Sequence, residues 1–187
     1  LLRRELTGLF DLLLPAACPL CSRLLGPSPH PPFCRSCLAA LLLPSPPCCP
    51  RCALPYPTEG GTDHRCEACL RQPPPFERIY PLGEYGGPLR EAITAFKYHG
   101  RLDLDRPLGR LLADRLQQTA NANDFDLILP VPLHPQRLRQ RSYNQSLLLA
   151  RVLSRELKRP LQSRRLRRIR PTPPQQGLSA ALRQANL

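Results

Sequence analysis

The hydrophobic rhythm of the chain changes several times. Near the start, Leu2, Leu6, Leu9 and Leu13 recur at helical spacing, which predicts an amphipathic helix within residues 1–17 that packs on a neighbouring domain. Residues 18–72 keep no period and are dense in Pro and Cys, and Gln72 to Pro75 reads as a linker at a domain boundary. Ile79, Tyr80, Leu82 and Tyr85 then predict a strand or hairpin edge over 76–85, turned by Gly86-Gly87. Pro88 opens a helix through Leu89, Ile93 and Phe96 to Lys97, ended by Gly100. Asp105 caps the next helix, with Pro107 in its first turn and Leu108, Leu111, Leu112 and Leu116 facing inward.

The apolar run Leu127-Ile128-Leu129 reads as a short strand buried on both faces, stopped by Pro130 and Pro132. A basic loop follows with His134, Arg137, Arg139 and Arg141. Ser142 or Asn144 then caps a helix running to about Lys158 on Leu147, Leu148, Ala150, Val152, Leu153 and Leu157. Pro160 ends it. Leu161-Gln162 begins a short strand, and Arg164 to Arg170 is only weakly strand-like. Strand, basic loop, helix is an α/β unit, and in open α/β sheets ligands bind beyond the C-terminal strand ends. Several Arg beside a helix start suit an anion, although charge alone also fits a solvated loop.

Composition sharpens this picture. The 187 residues include 25 Pro and 9 Cys and carry a net charge of +13. Residues 127–187 hold 13 basic side chains and one acidic, Glu156, so nearly all the excess lies in the last third. Such a surface attracts phosphate, in a small molecule or in nucleic acid. Exposed aromatics for base stacking are expected to be few. Arg3-Arg4 ahead of an apolar stretch faintly resembles an export signal. Glu5 and Asp11 interrupt it, and it is too short to span a membrane, so a cytoplasmic protein is expected.

The cysteines carry specific chemistry. Four C-x-x-C pairs occur: Cys18/Cys21, Cys34/Cys37, Cys49/Cys52 and Cys66/Cys69. The second half, CPRC…RCEACL, copies the first, CPLC…FCRSCL. A tandem copy predicts one metal per unit, and two short knuckles supply four thiolates to a structural zinc. So small and Pro-rich a segment lacks an adequate core of its own. Disulfides would require an oxidising compartment, and redox C-x-x-C pairs belong in a βαβ setting that is missing here. Iron fits the same ligands as zinc. Cys48 is left over as a spectator, and His30 and His64 read as loop residues.

The wording VPLHPQRLRQRSYNQ resembles the signature of the ComF/ComFC/GntX family, V-P-L-H-P-x-R-x-x-x-R-G-F-N-Q. Val131, Pro132, Leu133, His134, Pro135, Arg137, Arg141, Asn144 and Gln145 match; Ser142 and Tyr143 replace the usual Gly and Phe. A second signature, R-x-T-P-P-Q-x-G-L-S-x-x-x-R-x-x-N, is met by Arg170, Thr172, Pro173, Pro174, Gln175, Gly177, Leu178, Ser179, Arg183 and Asn186. AFKYHG is similar to the family's L-K-Y-x-G, with Lys97 read slightly in favour of a solvated helix-end cation. The Cys-rich segment, 18–72, resembles the family's double zinc ribbon.

The resemblance implies an α/β fold class: a small four-cysteine double zinc ribbon, then a type I phosphoribosyltransferase-like, Rossmann-like domain over 76–187. It implies that the 131–137 loop and Arg141, with Asn144 and Gln145, hold the diphosphate of 5-phosphoribosyl-1-diphosphate, with Mg²⁺ only in a full-length form, and that residues 170–186 form a flap over it. It also implies a link to competence and DNA uptake. In the alternative reading, the chain is a non-enzymatic module that holds single-stranded DNA or a helicase partner. The family's acidic pair and Thr-Gly turn for ribose 5-phosphate do not occur in these residues, so the transferase domain is expected to be C-terminally incomplete, without catalytic residues of its own.

Overall fold

A computed structural model of the chain describes residues 15–26, 33–41, 47–57, 60–121, 124–173, 175 and 177–186. The amphipathic helix expected before Pro15 lies outside the described residues, as does His30. Among the described residues the helices are α1 (Arg35–Ala40), α2 (Glu67–Arg71), α3 (Gly87–Tyr98), α4 (Asp105–Thr119), α5 (Pro135–Arg141), α6 (Gln145–Glu156) and α7 (Ala180–Ala185), with a 3₁₀ turn at Leu102–Leu104 before α4.

The Cys-rich half is a structural repeat down to individual hydrogen bonds. In the first unit the Cys18 N–H donates to the Arg23 carbonyl (2.8 Å), Ser22 N–H to Cys18 (2.8 Å) and Leu25 N–H to Ala16 (2.7 Å). In the second, Cys49 donates to Leu54 (2.9 Å), Ala53 to Cys49 (2.8 Å) and Tyr56 to Pro47 (3.0 Å). Isolated antiparallel bridges, Ala17 with Leu24 and Cys48 with Pro55, occupy matching places. Cys34 and Cys66 stand at the N-caps of α1 and α2.

The first knuckle of each unit closes on a residue with left-handed backbone, Ser22 at φ 58° and Ala53 at φ 59°. This conformation is strained for any side chain with a Cβ. Ser22→Gly and Ala53→Gly are each expected to stabilise the metal-loaded protein by up to about 1 kcal/mol, since relieved strain outweighs the extra freedom Gly gives the unfolded chain. Thermal unfolding midpoints of the single variants check this.

The first unit is not a free-standing module. Cys18, Phe33, Cys34 and Leu41 share one buried cluster with Leu89, Ala92 and Phe96 of α3 and with Leu104 and Leu108. The second unit has a separate, smaller cluster of Cys49, Cys66 and Cys69, with Cys52 and Tyr56 packed on it. The linker expected at Gln72 to Pro75 and the residues just after it are held to that unit. Arg51 donates to the carbonyls of Pro74 (2.6 Å) and Phe76 (2.9 Å), and Arg78 donates to that of Pro50 (2.9 Å).

Several expected strands are absent among the described residues. The 76–85 segment is irregular. The 127–129 run makes a single parallel bridge, Ile128 with Leu161, through Ile128 N–H to Pro160 (2.9 Å) and Gln162 N–H to Ile128 (3.0 Å). Leu127 and Leu129 are exposed rather than buried on both faces. A parallel strand needs neighbours on both edges and layers on both faces, and here only residue 161 pairs with it. The described residues are therefore mostly helical, and their one parallel contact falls where the α/β unit was expected.

The helical half is organised by the α4–α6 pair, its most extensive contact. Leu108, Gly109 and Ala113 of α4 and Ala150 and Val152 of α6 are buried. Asp105 is the first residue of α4 rather than its cap, and its carboxylate accepts from the Arg106 N–H (2.5 Å).

Candidate functional site

Two groups of four sulfurs converge: Cys18, Cys21, Cys34 and Cys37 in one, Cys49, Cys52, Cys66 and Cys69 in the other. Within each group all four Sγ atoms lie within 4.8 Å of one another. The Cys21–Cys34 pair is 3.5 Å apart and the Cys52–Cys66 pair 3.6 Å. A tetrahedron with metal–sulfur bonds of about 2.3 Å has edges of about 3.8 Å, whereas a disulfide needs about 2.05 Å. All nine cysteines are free thiols. Cys48 stays outside both groups, with its N–H on Asp63 Oδ1 (2.8 Å). His64 stacks on Tyr56 with ring centroids 4.3 Å apart and is in neither group.

Backbone donors favour ionisation of selected sulfurs. Cys34 is lowered to about 6 by the Ser36 hydroxyl and then by the Cys37 N–H. Burial works against ionising Cys49, yet the N–H groups of Cys52, Cys66 and Arg51 bring it down to about 6. Burial likewise opposes Cys18, and the N–H groups of Cys34, Leu20 and Cys21 outweigh it. Their neighbours move the other way: burial and the crowded thiols push Cys69 up to about 12 and raise Cys37 as well. Four sulfurs so close cannot all ionise without a cation among them. The ligand number, the spacing and the thiolate-forming donors fit a tetrahedral structural metal.

The second feature is an open cleft of about 1310 Å³ between α3, α5 and the 168–183 segment. Arg90, Lys97, Arg137, Arg141, Arg168 and Arg183 line it together with His99 and His134, and no carboxylate does among the described residues. The basic segment expected as a loop is in fact helix α5. Pro135 starts it without losing a needed N–H, and His134 caps it, accepting from the Gln136 N–H at Nδ1 (3.3 Å). That bond puts the proton of a neutral His134 ring on Nε2. Ser142, at φ 65°, ends α5. Asn144 is the true cap of α6; its Oδ1 accepts from Ser146 N–H (2.9 Å) and Leu147 N–H (3.3 Å).

The walls are tied together below the cleft. Tyr143 donates to the Phe96 carbonyl (2.5 Å) and Gln145, buried, to the Lys97 carbonyl (3.2 Å). Asn144 Nδ2 holds the Val131 carbonyl (3.1 Å). Of the residues singled out in sequence, Val131, Leu133, His134, Arg137, Arg141, Thr172, Gln175 and Arg183 meet in this cleft. Asn144 and Gln145 do not line it and serve its framework. Pro132 lines a separate groove behind α5, and Arg170 and Gly177 line neither.

Sequence reasoning did not single out Arg90, Thr94 or Arg168 and under-weighted Lys97. The spacing of Arg90, Thr94 and Lys97 on the polar face of α3 was the available signal. The exposed aromatics in the cleft are few, two among the described residues. Tyr85 is 65% and Tyr98 55% exposed there, and the Arg141 guanidinium lies 4.8 Å above the Tyr98 ring.

Two convergent four-cysteine centres joined to a cationic cleft define a ribbon-bearing, anion-attracting protein. The comparisons agree with its ribbon part. The family model described as "Double zinc ribbon domain" matches residues 9–70. "DNA utilization protein YhgH" of Salmonella typhi is 33% identical over 179 residues, covering 94% of this chain and 77% of the relative. "Competence protein F" of Haemophilus influenzae is 34% identical over 143 residues, 72% of this chain and 62% of its own. An Escherichia coli protein, also named YhgH, is 36% identical over 142 residues, 74% of this chain and 61% of its own. The chain belongs to the ComF family. No solved structure matches it. Among the described residues, no helix is long and apolar enough to cross a membrane.

Proposed function

We propose that the chain acts in DNA uptake or utilisation, as its relatives' names suggest, and that its cleft binds the phosphates of a 5-phosphoribosyl-1-diphosphate-type ligand. Residues 18–72 form the double ribbon in this reading. Zinc, held by the two four-cysteine groups, is its structural metal. Residues 76–187 form the phosphoribosyltransferase-like part. The observation that carries the reading is a cleft lined, among the described residues, by six cationic side chains and no carboxylate. Arg137 and Arg141 supply bidentate donors for a diphosphate, and Thr172, Gln175 and Arg183 of the expected flap line the same cleft. Phosphoribosyl transfer also requires groups for the ribose hydroxyls and for Mg²⁺, which this lining does not offer. The residues in hand therefore support binding rather than transfer.

Calorimetry of the zinc-loaded chain with 5-phosphoribosyl-1-diphosphate and Mg²⁺ tests the reading. Binding should be measurable, and Arg137→Ala should weaken it by roughly 10- to 100-fold, the loss expected of a charge-assisted hydrogen bond. Undetectable binding by the wild type would sink the diphosphate reading. The exposed Tyr85 and Tyr98 favour a second reading, single-stranded DNA with bases stacked on tyrosine. Its affinity should fall steeply with salt, and a flat response would argue against phosphate contacts.

A further inference from the structure

Elsewhere in the molecule several arginines are paired: Arg71 with Glu67 at 2.6 Å, Arg101 with Asp103 at 2.7 Å and Arg110 with Glu156 at 3.6 Å. In the cleft the pattern reverses. Arg90, Lys97, Arg137 and Arg183 make no side-chain hydrogen bond or ion pair among the described residues, although all four border one void. Mutual repulsion of unpaired cations across a shared space is unfavourable unless an anion enters it.

These charges stand on different elements. Arg137 and Arg141 lie on α5. Arg90, Thr94 and Lys97 lie on α3 at i, i+4 and i+7, one face of the helix. The opposite face of α3 is fixed by Leu89, Ala92 and Phe96 in the core. Its C-terminal carbonyls are held by Tyr143 and Gln145 from the start of α6. The α3 cations are thus presented on a rigid wall, separate from the α5 wall to which the diphosphate reading assigns its contacts.

Resting on the cleft reading above, we propose that Arg90, Thr94 and Lys97 form a second phosphate subsite. The cleft then takes ligands that carry two separated phosphate groups, one on each wall. A sugar phosphorylated at both ends has this chemistry, and so do successive backbone phosphates of a short single strand. Tyr98, between Lys97 in sequence and Arg141 in space, covers the ground between the two walls.

The test is calorimetry on the full zinc-loaded chain at low salt with three probes: inorganic diphosphate, ribose 1,5-bisphosphate and pentathymidylate. Arg90→Gln/Lys97→Gln changes exposed positions only, and circular dichroism verifies its fold. Arg164→Gln/Arg165→Gln removes the same charge away from the cleft. The α3 pair should weaken ribose 1,5-bisphosphate or pentathymidylate roughly tenfold or more and leave inorganic diphosphate within about twofold. The control should do neither. The probe that responds identifies the source of the phosphates. Equal weakening of all three probes, no weakening of any, or a matching effect of the control overturns the subsite while the cleft reading stands. If the wild type binds none of the probes, the cleft reading falls and the subsite with it.

Discussion

Chelating the metals at neutral pH is expected to unfold both ribbons, with unequal consequences. Each tetrathiolate centre contributes on the order of 10–16 kcal/mol of binding free energy that is also folding free energy. The second unit has almost nothing else, because its buried cluster consists of its own ligand cysteines with Tyr56 against them. The first unit shares its cluster with α3 and α4 through Phe33, Leu41, Leu89, Phe96, Leu104 and Leu108. Cys66→Ser should therefore leave one metal per chain and an intact cooperative helical transition. Cys34→Ser should also leave one metal, yet lower the thermal midpoint of the helical core and expose it to protease. Metal content by emission spectroscopy, read beside far-UV circular dichroism, separates the two. Indistinguishable helical transitions in the two variants would show that the first ribbon does not support the helical half.

Acid should release the metals by the same chemistry. Cys34 and Cys49 have folded pKa values of about 6 against an ordinary 9.0. A depressed thiol contributes stability that is full above pH 9, declines below it and is gone once pH falls through 6. Cys69, raised to about 12, has the opposite sign in the metal-free state: its contribution is full below pH 9 and is lost as pH rises toward 12. A metal-free ribbon is therefore pulled both ways. A bound cation keeps all four sulfurs as thiolates, so acid should release it as protons compete for those sulfurs, and metal content measured against falling pH checks this.

How much of this was legible depended on whether the information was local. The eight ligand cysteines could be read because tetrahedral thiolate ligation demands short knuckles, and the copied spacing predicted two centres. The anchoring of the first ribbon in the α3–α4 core could not be read. No local pattern joins Phe33 and Leu41 to Leu89 and Leu104. Pro130 and Pro132 end the expected strand and the basic residues after them read as a loop, whereas Pro135 starts α5 and the Gln, Arg and Leu after it are good helix formers. Leu127-Ile128-Leu129 has the composition of a doubly covered strand, but composition does not supply the covering layers. In the cleft, His134, Arg137 and Arg183 were found through motif wording. Arg90 escaped because a polar stripe on an amphipathic helix looks the same whether it faces water or a ligand.

Gly109→Ala should destabilise the protein even though it improves helix propensity. A Cβ at this position would lie 2.7 Å from Val152 Cβ, 2.8 Å from its Cγ1 and 3.0 Å from its Cγ2. Normal carbon contacts begin near 3.5 Å. Rotating Val152 does not help, because its Cβ is part of the clash and its branched χ1 is confined in a helix. The α4 and α6 helices must separate by a substantial fraction of an ångström. Overpacking of this kind costs about 1–3 kcal/mol, against about 1 kcal/mol gained by replacing Gly within a helix, so a net loss of up to about 2 kcal/mol is expected. The displacement also reaches function, since Tyr143 and Gln145 at the start of α6 hold the carbonyls of Phe96 and Lys97 on the α3 wall of the cleft. Val152→Gly removes all three clashing atoms, so Gly109→Ala/Val152→Gly should be more stable than the sum of the single losses by at least about 1 kcal/mol. Denaturant unfolding of the three variants measures that coupling, and strict additivity would mean that α4 and α6 do not meet at these two residues.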